Sequence, residues 1–163
     1  MIRTDDMLNG SGLRVVVFVS GCDNCCYNCH NPETWDLNSG NKFDTNTLQK
    51  VIKELNKDYI SGLTLSGGDP LKTENLEDIY SLVKEIKSKF PNKTIWIYTG
   101  YEFKEILNNS LRTKIAELCD VIVDGRYIDS LADLTYKWAG STNQRVIDVK
   151  KSLEQNSIVL YTQ

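Results

Sequence analysis

Four short segments of the chain are almost continuously apolar and rich in β-branched residues. They occupy residues 13–19, 62–66, 94–98 and 120–124, and turn-forming residues flank them. Short apolar runs of this composition predict β-strands. Because the apolar residues are continuous and do not alternate with polar ones, we expect strands that are covered on both faces.

The stretches between these strands repeat apolar residues every three or four positions, which is the spacing of an amphipathic helix. The predicted helices cover residues 45–57, 74–90 and 102–118, and the third is interrupted near the Asn-Asn-Ser sequence at 108–110. Asp44 or Thr45 stands where it can cap the first of them. The two C-terminal segments at 138–149 and 157–163 predict edge strands or irregular structure.

Strands that alternate with helices imply parallel strands joined by crossovers. We therefore expect one α/β domain over residues 1–163, built as an open sheet or a partial barrel. Functional residues of such folds lie at the carboxyl ends of the strands. The loops expected at that edge read SGCDNCCYNCHN (20–31), GGDP (67–70), TGY (99–101) and GRY (125–127).

Charge and hydropathy exclude several classes of partner. Nineteen basic and 22 acidic residues give a net charge of −3, which favours neither nucleic acid nor an anionic membrane as a partner. No apolar run approaches the roughly 18 residues of a membrane span, and the polar N-terminus lacks the apolar core of a signal peptide. We expect a cytoplasmic protein, whose thiols stay reduced.

Four of the five cysteines and the single histidine lie between positions 22 and 30. In a reducing compartment this clustering indicates metal binding or redox chemistry ahead of disulfides. Cys119 stands apart at the start of an apolar run and is expected to be buried.

Two frames fit the clustered cysteines. Two adjacent C-x2-C pairs could hold zinc, although structural zinc sites usually separate their ligand pairs by a dozen or more residues. The C-x3-C-x2-C frame instead selects Cys22, Cys26 and Cys29 and leaves Cys25 out. Three thiolates suit a four-iron cluster with one iron open to a ligand, whereas electron-transfer clusters usually have four.

The GGDP sequence places Gly67 and Gly68 where a strand ends. Glycine allows a positive φ and lets the backbone approach a ligand closely. An ordinary turn between a strand and a helix would explain the same residues.

The cysteine spacing, together with its place after the first strand, resembles that of the radical S-adenosylmethionine (SAM) enzymes. Further motifs follow in order between about residues 6 and 148: NGSGLRVVVFVSGC, CHNPETW, LTLSGGDPL, IWIYTGY, DVIVDGRY and WAGSTNQR. As a set they resemble the family of anaerobic ribonucleoside-triphosphate reductase-activating proteins, in its short phage-like form. His30 departs from this pattern, since the family often has tyrosine there, and Cys25 is an additional thiol.

The resemblance implies a compact radical-SAM fold, a truncated parallel β/α barrel, with one 4Fe-4S cluster on Cys22, Cys26 and Cys29. It also implies that SAM binds the open iron and is split by an electron from the cluster, so that no catalytic side chain is needed. The resulting 5′-deoxyadenosyl radical would take a hydrogen atom from a glycine of the reductase large subunit, with a flavodoxin-type protein as the electron donor. The implied SAM contacts are Asn28, Cys29, His30, Gly67, Gly68, Asp69 and Thr99.

Two other functions fit parts of the pattern. One is a radical SAM enzyme with a small-molecule substrate, similar to a 7-carboxy-7-deazaguanine synthase. The other is a non-enzymatic iron–sulfur or zinc module. Asp124 and Arg126, after the fourth strand, are further candidates for lining the site, although an Asp-Gly turn also explains Asp124.

Overall fold

Six strands form one open sheet in the computed structural model, which describes residues 1–162. They lie side by side in chain order: β1 (Ile2–Asp6), β2 (Leu13–Val19), β3 (Ile60–Gly67), β4 (Thr94–Tyr98), β5 (Val121–Asp124) and β6 (Arg145–Asp148). Strands β2 to β5 are parallel, and β1 and β6 pair antiparallel at the two edges. The mixed α/β class and the four parallel strands are confirmed. The sheet is not closed, so the truncated barrel is not confirmed.

Five α-helices accompany this sheet within residues 1–162: α1 (Thr45–Leu55), α2 (Leu76–Lys89), α3 (Phe103–Leu107), α4 (Ser110–Leu118) and α5 (Val149–Gln155). Asp44 caps α1, because its carboxylate accepts the Thr47 backbone N–H at 2.8 Å. The expected break in the third predicted helix is also confirmed. There Asn109 caps α4 through its side-chain oxygen, which accepts the backbone N–H groups of Leu111 and Arg112.

The edge elements were predicted less well. The mostly exposed and charged β1 gives no apolar pattern, and the seven-residue α5 was also missed. Of the segment at 138–149, the part that forms a strand is β6. Leu160 makes an isolated antiparallel bridge to Ile147, so the last segment adds to that edge; its final residue, Gln163, lies outside the described residues.

Both faces of the sheet are covered, as the continuous apolar strands predict. Alternate residues of β2 to β6 face the main core, where they pack with residues of all five helices; these strand residues include Val15, Val17, Leu63, Leu65, Ile95, Ile97, Ile122 and Ile147. A smaller cluster forms on the opposite face around Trp96, against which Trp138 and Tyr161 pack edge-on.

Arg14 is a fully buried charged residue on the face that carries Trp96. Its guanidinium donates five hydrogen bonds, all to uncharged oxygens: the carbonyls of Ser11, Leu63 and Thr94, and the hydroxyls of Thr64 and Thr94. Burial lowers the pKa of Arg14 to about 10. Because its acceptors belong to β3 and β4 as well as to the turn before β2, Arg14 ties these strands together near their amino ends.

Within residues 1–162, no helix combines the length and the apolar character that a membrane crossing requires.

Candidate functional site

The loops that follow β2, β3, β4 and β5 line one open cleft of about 600 Å³ at the carboxyl edge of the sheet. The four loops expected at this edge therefore do meet there. The cleft brings together eight of the nine residues predicted as cluster ligands or SAM contacts: Cys22, Cys26, Cys29, His30, Gly67, Gly68, Asp69 and Thr99.

The loop after β2 separates its four cysteines into two groups. Cys22, Cys26 and Cys29 are half-buried and line the cleft, whereas Cys25 is exposed and does not line it. Cys25 and Asn28 both adopt left-handed backbone conformations, with φ of 43° and 53°. Asn28 is exposed and does not line the cleft either, so its predicted SAM contact could involve only backbone groups around it.

Two of the cleft sulfurs accept N–H groups. Cys22 Sγ accepts the Asn24 side-chain amide at 3.5 Å, and Cys29 Sγ accepts the Asn31 backbone N–H at 3.4 Å. Burial raises the pKa of the Cys22 thiol; burial and then repulsion from Cys29 raise the pKa of Cys26. Three thiols on one loop, two with N–H donors, are a donor set that fits an iron–sulfur cluster. No three His, Cys, Asp or Glu side chains of residues 1–162 form a group suited to a single metal ion.

The glycine pair packs against the end of β2 and the loop that follows it. Gly67 has a φ of 100°, and a Cβ there would lie 2.8 Å from the Val19 carbonyl oxygen. Gly68 has no positive φ, but a Cβ would lie 2.6 Å from the Gly21 oxygen and 3.0 Å from that of Thr34. From the sequence, a positive φ, close approach to a ligand or an ordinary turn would explain both glycines. For Gly68 the observed reason is different: its Cα packs against the backbone of the cysteine loop.

Asp69 joins three of the four loops. Its carboxylate is 2% exposed and accepts the backbone N–H groups of Leu71 and Gly100, the Thr99 hydroxyl and the Asn24 amide. Burial raises the pKa of Asp69, and the Gly100, Thr99 and Leu71 hydrogen bonds act in the opposite direction. The side chains of Asp69 and Thr99 thus have protein partners, and their predicted contacts with SAM remain predictions.

Two further residues that sequence reasoning missed support the same loops. The Asn75 amide donates to the carbonyl oxygens of Ser20 at 2.9 Å and Asp69 at 3.0 Å. Lys72, whose side chain is mostly buried, forms an ion pair with Asp23 at 2.5 Å. Asn24 and Asp23 stand between the cysteines in the sequence, but nothing in the local pattern indicates which loop their side chains contact.

The loop after β5 and the segment at 132–140 form another wall of the cleft. His30 lies 5.6 Å from Tyr127, measured between ring centroids, and Arg126 lines the cleft beside it. Asp124, the other candidate, is 1% exposed and does not line the cleft. It accepts two hydrogen bonds from Arg145 and one from the Phe103 backbone N–H, so its observed role is to hold β5, β6 and α3 together.

Comparisons with known proteins agree with this donor set. Residues 8–147 match the family described as a 4Fe-4S single cluster domain. The chain is 44% identical over 141 residues to the anaerobic ribonucleoside-triphosphate reductase-activating protein of Enterobacteria phage T4, covering 86% of this chain and 87% of the relative. Proteins of the same name from Salmonella typhimurium and Escherichia coli are 43% and 41% identical over 143 residues, covering 86% of this chain and 92% of each relative. No solved structure matches the chain. The chain therefore belongs to the family of anaerobic ribonucleoside-triphosphate reductase-activating proteins.

Proposed function

We propose that this protein is an iron–sulfur activating enzyme that generates the glycyl radical on the large subunit of an anaerobic ribonucleoside-triphosphate reductase. Family membership supports this function. The observation that carries it is the division of the cysteine loop: the three cysteines of the C-x3-C-x2-C frame line the cleft, and Cys25 is exposed outside it.

In this proposal Cys22, Cys26 and Cys29 hold one 4Fe-4S cluster and leave one iron open for SAM. When bound, the cluster supplies the electron that splits SAM into methionine and a 5′-deoxyadenosyl radical, which makes the protein a radical SAM enzyme. The chain itself binds and orients these groups, and the radical step needs no general acid or base.

The cleft suits a molecule such as SAM in size. Small-molecule sites typically enclose about 300 to 1,000 Å³, and this cleft encloses about 600 Å³. We assign the methionyl end of SAM to the backbone of Gly67, Gly68 and Asp69. This stretch lies beside the cysteine loop. We assign the adenine to the backbone of residues 28–30 and to the His30 ring, and the ribose to Thr99.

The mouth of the cleft is suited to a protein substrate. Met7, Leu8 and Leu134 line it and are 72%, 79% and 100% exposed. Apolar side chains this exposed are typical of surfaces that a partner covers. In the proposed function the partner is the glycine-bearing segment of the reductase, and a flavodoxin-type protein reduces the cluster. In this proposal one domain, residues 1–163, cleaves SAM and presents the radical to the reductase.

Anaerobic reconstitution followed by two assays tests this function. With SAM and a strong reductant, the protein is expected to release 5′-deoxyadenosine and methionine. With the cognate reductase added, electron paramagnetic resonance is expected to show a glycyl radical doublet on the large subunit. Cleavage of SAM without that signal would favour a small-molecule radical SAM enzyme, and metal binding without cleavage would favour a non-enzymatic module.

A further inference from the structure

We propose that Asn24 is a positioning residue that fixes Cys22 within the cleft and raises the reduction potential of the cluster that Cys22 binds. The inference rests on the proposed function, because it takes Cys22 as a cluster ligand. Asn24 lies between the proposed ligands Cys22 and Cys26 in the sequence. The C-x3-C-x2-C spacing assigns no role to its side chain.

The Asn24 side-chain amide bridges a sulfur and a carboxylate. Its Nδ2 lies 3.5 Å from Cys22 Sγ and 3.3 Å from Asp69 Oδ2, and it is the donor in both hydrogen bonds. A primary amide carries two N–H groups, so both bonds can form together. The amide thus stands between two groups that are both negative once Cys22 is a thiolate.

Asp69 holds the amide in this orientation. Its carboxylate is 2% exposed, and three donors other than Asn24 fix it: the Leu71 N–H at 2.9 Å, the Thr99 hydroxyl at 2.8 Å and the Gly100 N–H at 3.0 Å. Because the acceptor cannot rotate without losing these bonds, the position of Nδ2 relative to Cys22 is fixed through the loops after β3 and β4.

Gly100 is independent evidence that the fold leaves a defined space for the Asn24 side chain. A Cβ at position 100 would lie 2.7 Å from Asn24 Cγ and would overlap Nδ2. Gly100 has no positive φ, so backbone conformation alone does not require glycine there. The space that its missing side chain leaves is the space that the Asn24 amide fills.

An N–H group directed at a cluster ligand changes the energy of electron uptake. Reduction adds negative charge to the cluster and its thiolates, and hydrogen bonds to the sulfurs stabilise that charge and raise the potential. The amide also lies between the sulfur and the Asp69 carboxylate, and its N–H groups offset the repulsion between these two negative groups. Both effects make the cluster easier to reduce when Asn24 is in place.

The test measures the midpoint potential of the reconstituted cluster in the full chain, without SAM, by a redox titration followed by electron paramagnetic resonance. Asn24→Ala removes the donor, and Gly100→Ala keeps Asn24 but displaces its amide. Both variants are expected to lower the potential. Because both act through one contact, the double variant is expected to match Asn24→Ala alone and not to show the sum of two shifts.

Asn31→Ala is the matched control. Asn31 also lines the cleft and also serves a ligand sulfur, but it does so through its backbone N–H, which alanine retains. The midpoint potential of the cluster in Asn31→Ala is expected to equal that in the unmodified protein.

An unchanged potential in Asn24→Ala at full iron content would overturn the inference, and so would additive shifts in the double variant. If Asn24→Ala does not retain the cluster, Gly100→Ala carries the test, since it leaves every proposed ligand and donor in the chain. Failure of the unmodified protein to assemble a four-iron cluster would instead contradict the proposed function.

Discussion

The Thr99 hydroxyl donates a 2.8 Å hydrogen bond to Oδ1 of Asp69, and both residues are almost completely buried. This bond links the end of β4 to the loop after β3. Thr99 Oγ1 also accepts the Tyr101 backbone N–H at 3.2 Å, so the hydroxyl uses its one donor and one of its two acceptor lone pairs.

Thr99→Val keeps the shape of this side chain and removes its hydroxyl. The change leaves one buried carboxylate oxygen with one donor fewer, and we expect it to lower the free energy of unfolding by about 1–3 kcal/mol. Urea denaturation measures the loss. Thr99→Ser is the control, because it retains the hydroxyl and should lose much less. A larger loss in Thr99→Ser than in Thr99→Val would show that the methyl group, and not the bond to Asp69, matters.

The adjacent residues Cys25 and Cys26 differ in position although they have the same chemistry. Cys26→Ser is expected to abolish a stable four-iron cluster and all SAM cleavage, because it removes a proposed thiolate ligand. Cys25→Ser is expected to retain both, since Cys25 is exposed outside the cleft. Iron and sulfide content, measured together with SAM turnover, distinguishes the C-x3-C-x2-C frame from the two adjacent C-x2-C pairs. Equal damage from both substitutions would mean that the three-thiolate frame is wrong.

Gly68→Ala tests the contact between the glycine loop and the cysteine loop. The added Cβ would lie 2.6 Å from the Gly21 carbonyl oxygen, a backbone atom that can move only with the cysteine loop. We expect lower SAM affinity together with lower iron content after reconstitution, because the same displacement moves the proposed ligands.

Gly140→Ala is the control for this change. Its φ is also not positive, and its added Cβ would meet the Tyr127 side chain at 3.1 Å, which can shift more easily than backbone. We expect smaller losses of both quantities, measured by the same binding and iron assays. If Gly68→Ala binds SAM with unchanged affinity, the glycine pair forms an ordinary turn and has no role in SAM binding.

The cap of α1 gives the protein a pH-dependent contribution to stability. Hydrogen bonds from the Thr47 hydroxyl and backbone N–H lower the pKa of Asp44 below its value in the unfolded chain. A carboxyl group with a lowered pKa stabilises the fold above its unfolded pKa, and this contribution is lost as the pH falls through the folded value.

Asp44→Asn keeps a capping oxygen but cannot ionise. We therefore expect the unmodified protein to be more stable than the variant near neutral pH, with a difference that shrinks as the pH falls below about 4. Urea unfolding of the two cluster-free proteins between about pH 6 and pH 3 measures it. A difference that stays constant over this range would contradict the assignment.

Several features of the protein follow from short-range pattern alone. The apolar runs give the bounds of β2 and β4 as observed, and Asp44 predicts the start of α1. The cysteine spacing groups Cys22, Cys26 and Cys29, and the structure places the same three in the cleft. These features can be predicted because the apolar run of a strand, the cap of a helix and the spacing of ligands depend on residues a few positions apart.

Tertiary structure alone decides the remaining features. The strand β1 carries no apolar pattern, and it exists because the edge of β2 offers unpaired backbone groups. Asn24 and Asp69 are 45 positions apart, and the reason for glycine at positions 68 and 100 lies in the cysteine loop that packs against them. Such contacts depend on how the sheet brings distant loops to one edge, so the residues named by the motif were predictable and the residues that hold them in place were not.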